Sequence, residues 1–122
     1  MSCILVVDDQ ESVRASVRKI LEFAGHTVFE ACNGLEAISA LAPEIDLVIT
    51  DVIMPEMDGL EIVRHVRRVR KDLPVLVITG GWGAPSDLVS IAVKLGADRA
   101  MSKTRVPAEL VSAVGQMLGP RT

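Results

Sequence analysis

Three short apolar runs, each followed at once by polar residues, constrain the fold of this chain more than any other feature. They are rich in β-branched side chains and show no polar alternation, which is typical of strands covered on both faces. The runs are 4–7 before Asp8-Asp9, 47–49 before Thr50-Asp51, and 75–78 before Thr79. Fully covered strands occur mainly in parallel sheets flanked by helices, so these runs predict an α/β fold.

Weaker strand patterns and helical stripes fill the remaining segments. The stretch 27–31 has the mixed composition of an edge strand, and 98–102 predicts a fifth strand. Helices are expected in the segments between strands, because apolar residues recur there at helical spacing. The stripes are Val13, Val17, Ile20, Leu21 and Ala24; a short one near 35–41; Ile62, Val63, Val66 and Val69; Leu88, Ile91, Ala92 and Leu95; and Leu110, Ala113, Val114 and Met117. Five βα units of this kind predict a doubly wound parallel sheet.

Length and composition exclude several classes of protein. The 122 residues suit one domain over 1–122, with no linker and no attached output domain expected. A net charge of −3 and 2% aromatic residues argue against binding to nucleic acid or to anionic membranes. No apolar run approaches the ~20 residues of a membrane span, and the N-terminus lacks the features of a secretory signal. The sequence therefore predicts a cytoplasmic protein.

The two cysteines, Cys3 and Cys32, are expected to be free. They fall at opposite ends of two strands predicted to be parallel neighbours. The resulting offset exceeds the ~7 Å between Cα atoms that a disulfide tolerates. Buried, inert thiols are the expectation.

Acidic residues follow two of the predicted strands. Asp8, Asp9 and Asp51 would meet at the carboxyl edge of the sheet, together with Thr79 and Lys103 from later strand ends. Two like charges ~4 Å apart repel by roughly 4 kcal/mol at an effective dielectric constant of about 20, so such a cluster calls for a cation. Oxygen ligands suit Mg²⁺. Helix capping would explain one isolated aspartate, but the acids at two strand ends favour a metal site.

In this order and on these elements, the residues resemble the receiver domain of bacterial two-component response regulators, in particular single-domain, chemotaxis-regulator-like members. The resemblance covers nearly the whole chain. It is carried by the acidic pair 8–9, by Asp51 with Met54-Pro55-Glu56-Met57-Asp58-Gly59, and by Thr79-Gly80, Gly96-Ala97-Asp98 and Lys103. The family implies a flavodoxin-like fold with strand order 2-1-3-4-5.

The resemblance also implies a role for each site residue. Asp51 is expected to accept a phosphoryl group from a histidine kinase or a histidine phosphotransfer protein. Mg²⁺ (or Mn²⁺) is expected on Asp9, Asp51 and the backbone carbonyl of Ile53, with Asp8 helping to hold it through water. Lys103, Thr79 and Gly80 are expected to contact the phosphoryl oxygens. The chain would then be a phosphoacceptor rather than an enzyme, although it would assist its own Mg²⁺-dependent phosphorylation and dephosphorylation.

Three features depart from the family pattern. Ala100 stands where receivers usually carry Tyr or Phe, and Thr104 follows Lys103 in place of the usual Pro, so a cis bond is not expected there. The glycine-rich loop after Thr79 is about two residues longer than usual and contains Trp82, the only tryptophan. Because alanine cannot report phosphorylation by rotating, we take Trp82 as the candidate read-out residue. This loop lacks the pattern of a nucleotide-binding loop.

Two other functions compete with the phosphorylation switch. A receiver-like interaction module that signals without phosphorylation is suggested by Ala100 and Thr104. A phosphohydrolase with an aspartyl nucleophile would need a second aspartate two residues after Asp51, and that residue is Ile53. The resemblance also implies that output passes through a downstream protein or self-association at the face formed by the fourth helix, fifth strand and fifth helix. Val89, Val93, Val111 and Leu118 supply apolar residues there beyond the core stripes.

Overall fold

The structure is a computed structural model that describes residues 2–52, 59–79 and 93–119. Five parallel strands form one sheet: β1 (Cys3–Val7), β2 (Thr27–Ala31), β3 (Leu47–Asp51), β4 (Val75–Thr79) and β5 (Arg99–Ser102). Their spatial order is β2-β1-β3-β4-β5. This order confirms the flavodoxin-like fold, and it places β2 at an edge of the sheet as its mixed composition predicts.

Helices connect the strands on both sides of the sheet. They are α1 (Glu11–Phe23), α2 (Gly34–Ser39), α3 (Gly59–Val69) and a C-terminal helix (Val106–Leu118), which follows a single 3₁₀ turn (Lys103–Arg105). The predicted fourth helix lies mostly outside the described residues. Its last residues, 93–95, are helical, and Gly96 follows with a positive φ of 121°, a conformation that favours glycine.

Two apolar layers cover the two faces of the sheet. Successive residues of β1 pack alternately into one layer and the other. Leu5 and Val7 pack in the layer that includes α2 and α3, whereas Ile4 and Val6 pack in the layer that includes α1 and the C-terminal helix. These four side chains are at most 1% exposed. With both faces covered, the polar groups that follow the strands collect at the carboxyl edge.

Some predicted core positions are wrong. Val69 is 54% exposed because it is the last residue of α3, and Gly59 at the other end supplies the fourth buried position instead. Ala24 is exposed because it caps α1 as the chain leaves the helix. Cys3 and Cys32 are free as predicted, but both are half-buried rather than buried.

Arg67 of α3 connects the amino-terminal edge of the sheet to the helix layer. Its guanidinium donates to the backbone carbonyls of Lys71 and Leu73, and to Asp98 Oδ2 at 3.0 Å. The same Asp98 oxygen accepts the N–H of Val75 at 2.8 Å. A Cβ on Gly96 would lie 2.4 Å from Arg67 Cγ. Gly96 therefore leaves room for the arginine side chain.

Candidate functional site

Three carboxylates meet at the carboxyl edge of the sheet. Asp8 and Asp9 follow β1, and Asp51 is the last residue of β3, the parallel neighbour of β1. One carboxylate oxygen from each lies within 4.8 Å of the others. Asp8 and Asp51 are each 4% exposed, whereas Asp9 is exposed. The structure therefore brings together all three aspartates that the sequence singles out.

Lys103 reaches the same cluster from the 3₁₀ turn after β5. Its Nζ lies 3.0 Å from Asp51 Oδ2 and 3.7 Å from Asp8 Oδ2. The turn is capped by Ser102, whose side chain accepts the N–H of Thr104 at 3.3 Å. No peptide bond between described residues is cis, as expected for Lys103–Thr104. The long lysine side chain thus spans β4 to meet a carboxylate on β3.

The charges of the cluster do not balance. Three ionised carboxylates and one ammonium give a formal charge of −2. Burial raises the pKa of Asp8, and the charges of Asp51 and Asp9 act in the same direction, against the Gln10 N–H and Lys103. Burial would lower the pKa of Lys103, but the hydrogen bond to Asp51 and the surrounding carboxylates outweigh it and raise that pKa. Hard oxygen donors with this excess of negative charge fit a divalent cation such as Mg²⁺.

Thr79 ends β4, directly beside the cluster. Asp51 pairs with Ile78 across the two strands, so Thr79 lies one residue beyond the level of Asp51. Its hydroxyl is 3.5 Å from the carbonyl of Met101, which is a weak hydrogen bond. The structure therefore holds the hydroxyl of Thr79 only loosely.

The remaining sequence candidates have different outcomes. Ala100 lies in β5, is half-buried, and pairs with Val77 of β4. Ile53, Gly80 and Trp82 fall outside the described residues, so the roles assigned to them stay predictions.

The backbone beyond Asp51 is held from two sides. The buried hydroxyl of Thr50 donates to the carbonyl of Asp51 at 3.0 Å. A Cβ on Gly59 would lie 2.0 Å from that carbonyl oxygen, and the Gly59 N–H donates to Val52 O at 2.9 Å. The start of α3 thus packs directly on the Asp51 peptide, which explains physically why glycine ends the motif that follows Asp51.

Two contacts on Asp8 involve residues that sequence reasoning missed. The Gln10 N–H donates to Asp8 Oδ1 at 2.8 Å, and Arg14 Nη1 donates to the backbone carbonyl of Asp8 at 2.7 Å. A hydrogen bond from a cation to a carbonyl is stronger than one between neutral groups. The sequence signal for Arg14 was weak, because a single arginine between the apolar positions of a helix resembles any solvated charge.

Comparison with known families and sequences identifies one protein family over most of the chain. A family model described as "Response regulator receiver domain" matches residues 4–115. The response regulator SaeR of Staphylococcus aureus (strain USA300) is 32% identical over 118 residues, which cover 97% of this chain and 51% of SaeR. The chain therefore spans about half the length of this curated relative.

Solved structures agree with the fold. The response regulator TrrA from Thermotoga maritima, crystallised in complex with Mg²⁺-BeF, has a TM-score of 0.85 and 32% identity, covering 96% of this chain and 99% of that one. The Vibrio cholerae chemotaxis protein CheY4 has a TM-score of 0.84 and 32% identity, covering 96% and 98%. A receiver domain protein from Clostridium thermocellum has a TM-score of 0.89 and 27% identity, covering 97% and 94%. Within the described ranges, every helix is too short or too polar to span a bilayer.

Proposed function

Because this chain belongs to the response regulator receiver domain family, whose general function is a phosphorylation switch in two-component systems, we propose that its phosphoacceptor is Asp51. The observation that carries this proposal is the position of the Asp51 carboxylate. It is buried at the end of β3, lies within 4.8 Å of two other carboxylates, and accepts a hydrogen bond from Lys103 at 3.0 Å. A nucleophilic carboxylate needs this combination of fixed position and nearby positive charge.

Asp9, Asp51 and the carbonyl of Ile53 are the proposed metal ligands, and Asp8 helps to hold the ion through water. The formal charge of −2 on the cluster and its oxygen donors support Mg²⁺ (or Mn²⁺). When bound, the ion neutralises charge on the aspartates and on the incoming phosphoryl oxygens. The Gln10 N–H binds the side chain of Asp8, and Arg14 binds its backbone carbonyl. Both bonds hold Asp8 in place independently of the ion.

In the proposed transfer, a carboxylate oxygen of Asp51 attacks the phosphorus of a phosphohistidine. The bond between phosphorus and the histidine nitrogen breaks, and the histidine leaves with its electron pair and takes up a proton. The donor is a histidine kinase or a histidine phosphotransfer protein. Lys103 then pairs with a phosphoryl oxygen, and Thr79 and Gly80 donate to others. Water later hydrolyses the aspartyl phosphate, so the chain resets itself without acting on a separate substrate.

Output is proposed to pass through protein–protein contact at the face of the predicted fourth helix, β5 and the C-terminal helix. Val93 is 49% exposed and Val111 is 46% exposed, which suits contact with a downstream target or a second copy. Leu118 is half-buried and packs against the core, so it contributes less than its sequence position suggested. Val89 lies outside the described residues.

Binding of beryllofluoride, a phosphoryl analogue, tests this function without a kinase. Calorimetry should show saturable binding to the wild-type protein in the presence of Mg²⁺ and none without it. Asp51→Asn should abolish that binding while keeping the fold. Normal binding by Asp51→Asn would contradict the assignment. Absence of binding by a folded wild-type protein would favour the alternative, an interaction module that works without phosphorylation.

A further inference from the structure

Arg14 connects the acidic cluster to the edge of the sheet. In α1, its Nη1 donates to the backbone carbonyl of Asp8 at 2.7 Å, while its Nε donates to Glu30 Oε1 of β2 at 2.9 Å. The Arg14 side chain is only 15% exposed. The planar guanidinium therefore holds two acceptors at once from a partly buried position, a geometry that a single ammonium cannot reproduce.

A second arginine fixes the carboxylate that holds Arg14. Arg18, one turn further along α1, donates through Nη1 to Glu30 Oε2 at 2.6 Å. Both oxygens of Glu30 are thus engaged by arginines, so the carboxylate has a defined orientation. In the described part of the chain, Arg18 pairs with the same glutamate but does not contact Asp8.

These bonds leave Asp8 with little freedom. Its N–H donates to Ala31 O at 3.1 Å, its carbonyl accepts from Arg14, and its Oδ1 accepts from the Gln10 N–H. The other carboxylate oxygen, Oδ2, lies 3.7 Å from the Lys103 ammonium, on the side of the cluster. With three bonds fixing the rest of the residue, the direction of Oδ2 is set by the protein before any ligand arrives.

We propose that Arg14, oriented by Glu30, is a positioning residue that aims the Asp8 carboxylate at the metal site. This inference rests on the proposed function, because it takes Asp8 as part of the metal site. Arg14 acts through the backbone of Asp8 and touches no reacting atom. Its charge is paired with Glu30, so its effect on the cluster is one of geometry more than of electrostatic field. Residues that orient metal ligands from outside typically contribute about 10- to 100-fold in metal affinity.

The chain offers a matched control for this proposal. Arg14→Gln and Arg18→Gln each remove one positive charge and one ion pair with Glu30, but only Arg14→Gln removes the bond to Asp8. Mg²⁺ affinity, measured by calorimetry on the full chain, should fall about 10-fold or more in Arg14→Gln, the range expected for loss of an orienting residue. Arg18→Gln should stay within about twofold of wild type, since exposed ion pairs contribute little. Arg14→Lys should fall between them.

Electrostatics alone predicts a change of the opposite sign in Mg²⁺ affinity. Removing a cation near three carboxylates should tighten Mg²⁺ binding, and it should do so in both variants. Equal affinities in Arg14→Gln and Arg18→Gln, or tighter binding in Arg14→Gln, would overturn the inference. A wild-type protein that binds neither Mg²⁺ nor beryllofluoride would overturn the proposed function itself and the inference with it.

A measurement on the wild-type protein covers the case in which Arg14→Gln does not fold. The Nε–H resonances of Arg14 and Arg18 can be followed by ¹H–¹⁵N NMR during a Mg²⁺ titration. Because Arg14 is bonded to Asp8, its resonance should shift as the metal site fills, whereas that of Arg18 should move much less. An Arg14 resonance that does not respond to saturating Mg²⁺ would overturn the inference without any substitution.

Discussion

The Lys103 ammonium donates to the Asp51 carboxylate at 3.0 Å, although the two residues are 52 positions apart. Asp51 ends β3 and Lys103 directly follows β5, and β4 lies between these two strands. The same ammonium is 3.7 Å from Asp8. Before any ligand binds, Lys103 therefore offsets part of the repulsion between two buried carboxylates. In the proposed function, the same ammonium would pair with an oxygen of the phosphoryl group carried by Asp51.

Lys103→Ala should separate metal binding from phosphorylation. Since the ammonium repels a cation, its loss should leave Mg²⁺ affinity unchanged or tighter. The rate of phosphorylation by acetyl phosphate should fall at least about 10-fold, because one charge-stabilising group is removed from the transition state. Calorimetry and single-turnover phosphorylation measure the two effects. Loss of Mg²⁺ binding in Lys103→Ala would contradict the role proposed for this lysine, which is to contact the phosphoryl group and not to support metal binding.

Gly59→Ala should damage the site through its backbone. The new Cβ would lie 2.0 Å from the carbonyl oxygen of Asp51 and 2.8 Å from the Cα of Val52, atoms that cannot move without displacing β3. We expect a loss of roughly 1–3 kcal/mol in the free energy of unfolding, as for other overpacked positions, together with weaker Mg²⁺ binding. Urea denaturation and calorimetry give the two quantities. Unchanged values for both would show that α3 can shift without disturbing Asp51.

Gly96→Ala and Gly115→Ala should change stability in opposite directions. At Gly96 the φ of 121° and the side chain of Arg67 both exclude a Cβ, so the variant should lose more than about 1 kcal/mol. At Gly115, inside the C-terminal helix, a Cβ meets nothing within 4 Å, and alanine should add about 0.5–1 kcal/mol. Thermal and urea unfolding of the two variants test this pair. A neutral Gly96→Ala would argue against the close contact with Arg67.

Glu30 should make stability depend on acid pH. Burial opposes ionisation, but the hydrogen bonds and charges of Arg14 and Arg18 outweigh it and hold the pKa of Glu30 below its ordinary value of 4.5. The Glu30 carboxylate is therefore protonated at a higher pH in the unfolded chain than in the folded chain. The stabilisation is present in full above pH 4.5 and is lost as the pH falls through the depressed pKa.

The comparison of wild type with Glu30→Gln isolates that contribution. The difference in unfolding free energy should be largest near neutral pH and should shrink as the solution is acidified below pH 4.5. High salt should reduce it, since partly exposed charges are screened. A difference that is constant with pH would show that the two arginines do not favour the ionised form of Glu30.

Much of the fold could be predicted because each buried strand is a continuous apolar run with a sharp polar end. For β2 the predicted range 27–31 equals the observed one, and the aspartates meet because parallel strands end at one edge. The order of the strands came from family resemblance, since local periodicity does not determine which strands are neighbours. The exposure of Val69 could not be read from spacing, because it depends on where α3 ends.

The site was predicted less completely than the fold. The residues proposed to carry its chemistry stand at or directly after strand ends, where sequence reasoning looks for them. Arg14 contacts Asp8 from an adjacent helix and is itself paired with Glu30 of the edge strand, 16 positions away, and nothing in the sequence links such a pair. Thr50 resembled an ordinary strand residue, because the sequence does not indicate which carbonyl accepts the hydrogen bond of a threonine hydroxyl in a strand.

Intact-protein mass spectrometry after incubation with acetyl phosphate tests the central claim most directly. With Mg²⁺ present, the wild-type chain should gain the mass of one phosphoryl group, because among the described residues Asp51 is the buried carboxylate that accepts the Lys103 hydrogen bond at 3.0 Å beside the other acids of the cluster. The gain should be absent with EDTA and absent in Asp51→Asn. An added phosphoryl group on Asp51→Asn, or undiminished labelling of the wild-type chain in EDTA, would contradict the account.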